Sequence, residues 1–214
     1  MNARASLAAW LLVALAGAAA PSPAGAQSAD LREARTKGSP TAPVTMYIMS
    51  DFECPYCGDW ARTTFPEIER EYVATGKMRV VFVNYPLTSI HANAEPAAEV
   101  AMCAARQNKF WAMHDLLFRH QDSWAELREP GPYLLSLGDS IGANRAQLTA
   151  CLRDSLTRPL VRADAEGSVR TGASSTPSFY VEGGLMAGDR PIEVFRPILD
   201  SIIHAKAQRP APAR

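Results

Sequence analysis

The chain has 214 residues, with 22 Lys plus Arg set against 22 Asp plus Glu, and 47% of its side chains are hydrophobic. That length suits one domain, or one domain carrying an insertion. The balanced charge supplies neither a basic surface for nucleic acid nor a polybasic patch for a membrane.

The first residues carry Arg4, an apolar run from Leu7 to Ala20, and small and turn residues ending in Ala24-Gly25-Ala26. This is the layout of a secretory signal peptide, with cleavage expected after Ala26. A membrane span needs roughly 20 apolar residues, and this run is shorter and followed at once by Pro21, Pro23 and Gly25. An uncleaved anchor is the alternative. Removing 26 of 214 residues leaves 188, and loss of Arg4 leaves one excess acidic residue. Export places the protein, in the periplasm or outside the cell, where disulfides persist, and all four cysteines, an even number, fall in the exported part.

Residues 27–43 are polar, include Gly38-Ser39-Pro40 and Pro43, and are expected to form a loosely ordered lead-in. Val44 to Met49 is a short apolar run bounded by turn residues, which reads as a buried strand, and Met78 to Tyr85 repeats the pattern after the turn signal at Gly76. Between them, residues 55–73 carry a helical pattern with a kink expected at Pro66. From 92 to 156 the composition turns to helix formers, with Val100, Cys103, Ala104, Trp111, His114 and Phe118 on one amphipathic stripe. Gly131, Pro132, Gly138 and Gly142 punctuate further helices, and Leu148, Cys151, Leu152 and Ser155 share a face. Pro177 to Val181 reads as a strand, turned by Glu182-Gly183-Gly184 into Leu185-Met186-Ala187. Pro191 then opens a last amphipathic helix through Ile192, Phe195, Ile198, Leu199 and Ile202. The order describes an α/β sheet domain, residues 44–90 and 157–207, interrupted by an all-helical insertion at 91–156 and ending in a flexible tail at 208–214.

Cysteine chemistry is the place to look for function. A thiol attacks as its thiolate, so a nucleophilic cysteine needs a pKa below the ordinary value of about 8.5. In Cys54-Pro55-Tyr56-Cys57 the first sulfur falls where a strand and turn give way to a helix, with Pro55 suited to the first helical position. The unpaired amides and dipole of a helix start favour negative charge there. Cys57, three residues on, shares the helix face, close enough to form a small disulfide ring and further from solvent. Cys54 is therefore the expected attacking thiol and Cys57 the resolving one. Haem attachment would need His at position 58, which is Gly, and a zinc site wants a second close ligand pair. Metal binding and an inert structural disulfide remain alternatives.

Three segments together resemble a known family. Ser50-Asp51-Phe52-Glu53-Cys54-Pro55-Tyr56-Cys57, Cys103-Ala104-Ala105-Arg106-Gln107-Asn108-Lys109-Phe110-Trp111 and the run from Thr171-Gly172-Ala173-Ser174-Ser175-Thr176-Pro177-Ser178 to Gly184 look like the DsbA-like branch of the thioredoxin superfamily, over about residues 36–205. The resemblance implies a thioredoxin-like fold with an inserted all-helical domain, and a thiol:disulfide oxidoreductase that passes its disulfide to substrate proteins. It also implies that Pro177 is a cis-proline opposite the cysteines, preceded by Thr176. A cis bond there would free the Thr176 backbone to pair with an extended substrate peptide beside Cys54. The best-known strongly oxidising members carry Pro-His between the cysteines, where this chain has Pro55-Tyr56, a pair also seen in glutaredoxins. Tyr56 lacks the charge and donor pattern of an imidazole, so the resemblance implies the reaction class rather than the oxidising strength.

Cys103 and Cys151 each fall on the apolar side of a helix in the insertion. A structural disulfide is the preferred reading, with two free thiols and a second redox centre as alternatives. Glu53 reads as solvated, His91 and His114 as packing or capping residues, and Trp60, Trp111 and Trp124 as packing; Phe52 and Tyr56 border a possible peptide-binding surface. Neither cofactor nor metal is called for. The leading function is an oxidase for newly exported proteins, acting as a monomer on unfolded or reduced substrates and reoxidised by a membrane quinone-linked thiol oxidase. A disulfide isomerase or reductase, and a non-enzymatic metal-handling or thiol-based chaperone, are the competing functions.

Overall fold

The computed structural model describes residues 31–208. The expected signal peptide, residues 1–26, and the residues beyond 208 lie outside the described residues. Five strands, Thr36–Lys37 (β1), Val44–Ser50 (β2), Met78–Asn84 (β3), Ser178–Val181 (β4) and Gly184–Ala187 (β5), form one mixed sheet in the order β1-β3-β2-β4-β5. The two apolar runs make the central parallel pair, in register from Val44 opposite Met78 to Ser50 opposite Asn84. Strands buried on both faces read as continuous apolar runs. β4 lies antiparallel on the other side of β2, and it turns into β5 through Glu182 and Gly183, both at positive φ. That two-residue turn matches the twist of a hairpin, and Gly183 supplies the left-handed conformation without steric penalty.

The lead-in is more ordered than its composition predicts. β1 pairs antiparallel with β3, and Arg35 is buried, donating to the Phe82 carbonyl at 3.1 Å and forming an ion pair with Asp164. Two residues are too few to show a strand period; their partners are Val80 and Val81 of β3, and the carboxylate that anchors the preceding Arg35 lies 129 positions away.

A parallel pair needs a long crossover, and helix α1, Pro55–Ile68, supplies it. The helix runs through Pro66 and continues into a π-helical turn, Glu69–Val73. The expected disturbance at the proline thus takes the form of a widened turn just beyond it, where Ala74 N–H bonds back to the Glu69 carbonyl at 2.8 Å. Trp60, Phe65 and Ile68 on α1 pack with Val44, Met46, Ile48 and Phe179 from the sheet.

After β3 come α2 (Ala94–Ala105), α3 (Phe110–Arg119), α4 (Gln121–Trp124), α5 (Gly131–Ser140), α6 (Arg145–Arg153) and α7 (Arg158–Arg170). The sequence reading does not resolve α7 as a helix of its own. Only Val161 and Ser168 of α7 are buried, so its apolar stripe is thin. The last helix, α8 (Ile192–Gln208), lays Phe195 and Leu199 on the same core as α1. The architecture is the α/β sheet with inserted helices that the sequence predicts.

Ala97, Ala101, Phe110, Leu117, Trp124 and Leu134 from the inserted helices share one buried cluster with Phe52, Cys54, Cys57 and Phe82. The helical block therefore roofs the cysteine turn. Cys103 of α2 and Cys151 of α6 are joined by a disulfide with Cα atoms 5.9 Å apart, packed against Leu148. Replacing both with Ala is expected to lower the unfolding free energy by about 4 kcal/mol, the chain-entropy figure for a loop near 50 residues, in a denaturant titration. Retention of full stability would remove the stabilising role.

Candidate active site

β2 ends at Ser50, and Asp51, Phe52 and Glu53 turn the chain into α1. Cys54 is the N-cap residue in extended conformation, φ −68° and ψ 122°, and Pro55 begins the helix. The Cys54 carbonyl accepts the Cys57 and Gly58 N–H groups, both at 3.1 Å, which closes the first turn. Gln121 of α4 donates its side-chain amide to the same carbonyl at 2.9 Å and to the Phe52 carbonyl at 2.7 Å. The helical block thus holds the cysteine turn by main-chain atoms. Gly58 leaves room for this: a Cβ there would lie 2.4 Å from Gln121 Oε1.

The Thr176–Pro177 bond is cis, and its loop faces the first cysteine. Cys54 Sγ lies 3.5 Å from the Thr176 carbonyl, which accepts the S–H of the protonated thiol. The Thr176 hydroxyl is buried with no hydrogen-bond partner and is a donor that favours the Cys54 thiolate. Cys57 Sγ accepts the Asp51 N–H at 3.5 Å.

The two sulfurs are driven apart in acidity. Hydrogen bonding from the Cys57 thiol, then from the Thr176 hydroxyl and the Cys57 N–H, pulls Cys54 down to about 6 against the opposing effects of burial and of Asp51. Burial, reinforced by the Cys54 charge, pushes Cys57 well above the ordinary thiol range. Cys54 is 4% and Cys57 1% exposed. The order matches the helix-position argument, but the difference is small, because the inserted helices cover both sulfurs and the sequence pattern carries no trace of that cover. Tyr56, between them, is 63% exposed.

Asp51, Gln121 and Asn93 were not singled out by sequence. Asp51 is a buried carboxylate bonded to His91 Nδ1 at 2.7 Å and to the Leu87 N–H at 2.8 Å. Glu53, read as solvated, is partly buried and accepts the Asn93 N–H at 2.6 Å; burial raises its carboxyl pKa. An acidic residue in a strand-to-helix turn is a weak signal for Asp51, and nothing local marks Gln121. His114 is a packing residue in an aromatic cluster with Phe52, Phe82, Trp111 and Phe118, where burial lowers its pKa. Among the described residues no group of three or more His, Cys, Asp or Glu could hold a metal, and no helix is long and apolar enough to cross a membrane.

A sheet with an inserted helical block and a cysteine pair at a helix start beside a cis-proline defines a thioredoxin-fold protein. A family model described as Thioredoxin matches residues 31–201, and the chain belongs to that family. It is 34% identical over 178 residues to the Na(+)/H(+) antiporter NhaA 3 of Salinispora tropica, a match covering 83% of this chain and 26% of the antiporter. The chain spans about a quarter of the length of the antiporters it matches. It is 27% identical to a probable disulfide bond formation protein D of Bacillus anthracis, covering 71% of each. Among solved structures, alpha-DsbA1 of Wolbachia pipientis superposes with a TM-score of 0.72 at 20% identity, covering 81% of this chain and 92% of that one.

The acidity of Cys54 fixes a pH dependence. Its folded-state pKa near 6 lies below the unfolded value of about 8.5, so the stability it contributes to the reduced protein is present in full above about 8.5 and lost as pH falls through 6. Cys57, raised by folding, contributes stability that is lost above its unfolded value. Chemical denaturation of the reduced protein, referenced to the disulfide form at each pH, should therefore show relative stability rising between about pH 6 and 8.5 and no further gain above. A flat difference would mean that Cys54 is not acidified by the fold.

Proposed function

We propose that this protein is an exported thiol:disulfide oxidoreductase that donates disulfide bonds to substrate proteins through Cys54 and Cys57. The observation that carries the reading is the placing of the two sulfurs, Cys54 at a helix start 3.5 Å from the carbonyl of Thr176 in the Thr176–Pro177 loop and Cys57 buried behind it. In the oxidised form a substrate thiolate attacks Cys54 Sγ, the Cys54–Cys57 bond breaks, and Cys57 leaves as a thiolate that takes up a proton. A second substrate thiolate then attacks the substrate sulfur of the mixed disulfide. The substrate leaves with its own disulfide and Cys54 leaves as the stabilised thiolate, so two electrons pass from substrate to the pair. A low Cys54 pKa favours the reduced product, which makes the disulfide the better acceptor.

Thr176 and Pro177 form the edge against which an extended substrate backbone pairs. Residues 44–90 and 157–207 act as one domain, and 91–156 as an inserted helical domain. Cys103 and Cys151 serve structure, not electron transfer. The signal-peptide layout of residues 1–26 supports export to the periplasm, with reduced exported proteins as substrates and a quinone-linked membrane oxidase as the reoxidising partner. The protein works as a monomer.

Trapping tests the assignment. Cys57→Ser is expected to accumulate mixed disulfides when Cys54 attacks disulfide-bonded substrate proteins and one substrate thiolate leaves, seen as slower, reductant-sensitive bands, while Cys54→Ser accumulates few. Equal trapping by the two variants would overturn the roles of attacking and resolving sulfur.

A further inference from the structure

The proposed exchange leaves two titratable groups beside the cysteines without a role. The Asp51 side chain is sealed from solvent and that of His91 is 16% exposed. A buried carboxylate is costly unless its oxygens are satisfied, and here they are. Oδ1 accepts the Glu53 N–H at 2.8 Å, and Oδ2 accepts the Leu87 N–H at 2.8 Å and faces His91 Nδ1 at 2.7 Å. Its main chain meets both reactive residues, donating to Cys57 Sγ at 3.5 Å and accepting the Cys54 N–H at 3.3 Å. Three of these contacts fasten the Cys54 turn and two fasten the loop after β3. Among the described residues His91 is the one side chain in ion-pair range of Asp51. The other titratable groups that face the pair are Glu53, itself tied to the Asn93 N–H, and the two cysteines.

We propose that Asp51 and His91 are paired positioning residues that set how far the Cys54 sulfur ionises, the carboxylate opposing the thiolate and the imidazole relieving that opposition. The main chain of Asp51 contacts both reactive residues, and its carboxylate is buried in the same turn under the inserted helices, where little water screens it from the sulfur. Its charge acts against the thiolate. His91 Nδ1, 2.7 Å from Oδ2, is the group placed to offset that charge at short range, so the pair lets the chain use Asp51 as a structural acceptor without forfeiting an acidic Cys54.

The inference rests on Cys54 being the attacking sulfur, and its test reads the sulfur rather than turnover. The ultraviolet absorbance of the thiolate is followed against pH in the reduced full chain for wild type, Asp51→Asn, His91→Ala and His91→Gln. Asp51→Asn is expected to lower the Cys54 midpoint by about one unit, a roughly tenfold higher ratio of thiolate to thiol at a given pH, and to raise the potential by about 30 mV. His91→Ala and His91→Gln are expected to raise the midpoint. The glutamine amide can still donate to Asp51 but carries no charge, so a folded His91→Gln protein with an unmoved midpoint overturns the proposal even where Asp51→Asn fails to fold. A shift of the same sign in the Asp51 and His91 variants marks the pair as a loop tie alone and also overturns it. If the midpoints do not move while Cys57→Ser still traps substrate, the electrostatic role fails and the proposed function stands. If Cys57→Ser traps nothing, the function fails and opposite shifts still establish the pair.

Discussion

Keeping a thiolate at Cys54 almost out of reach of water requires that fixed donors replace hydration, and the chain draws them from well-separated segments. Cys57 comes from the next turn of α1 and Thr176 from the loop before β4, 122 positions away. Gln121 reaches in from the inserted helices to hold the Cys54 carbonyl, which fixes where the sulfur can point. The Thr176 and Gln121 contacts are available only once the sheet has formed and the helical block has closed over it. The acidity of the sulfur therefore comes first from Cys57 within the same short segment and then from the Thr176 loop that the assembled fold brings against it.

The inserted helices make this arrangement possible. Phe52 stacks on Phe82 with ring centroids 5.0 Å apart and meets Phe118 of α3 at the same distance, which joins the cysteine turn, the central sheet and the block in one apolar cluster. Aromatic contacts of this kind add to the gain from burial alone. The result is a low-polarity surround in which a charge–charge or charge–dipole interaction is worth more than at the surface. The same surround that strengthens the Thr176 and Cys57 contacts in support of Cys54 pushes Cys57 in the opposite direction.

Burial at the site carries polar groups that a purely structural core would omit. The Thr176 hydroxyl has no partner when the thiol is protonated, and Asp51 is a carboxylate under the roof of the active site. Both tolerate their position because each has a use tied to the state of the sulfur or of the loop around it. Unsatisfied or charged groups concentrated next to one residue are the usual mark of a site held ready for chemistry.

Much of this is written in local sequence. The central strands follow from two short apolar runs, the hairpin from Glu182-Gly183, and the placing of Cys54 at a helix start from Pro55 after a strand and turn. These depend on near neighbours, for which periodicity and turn chemistry are sufficient signals. What the sequence could not determine depends on distant partners. β1 is held by a register with β3 and by Asp164, α7 buries too thin a stripe to declare itself, and the cover over both sulfurs comes from helices more than 40 residues downstream. Asp51, Gln121 and His91 acquire their meaning from hydrogen bonds across 36 to 69 positions, which no window along the chain encloses. The sequence by itself placed a cysteine pair at the start of a helix; tertiary structure decided what surrounds the two sulfurs, because burial and the Thr176 and Gln121 contacts exist only after the chain has folded.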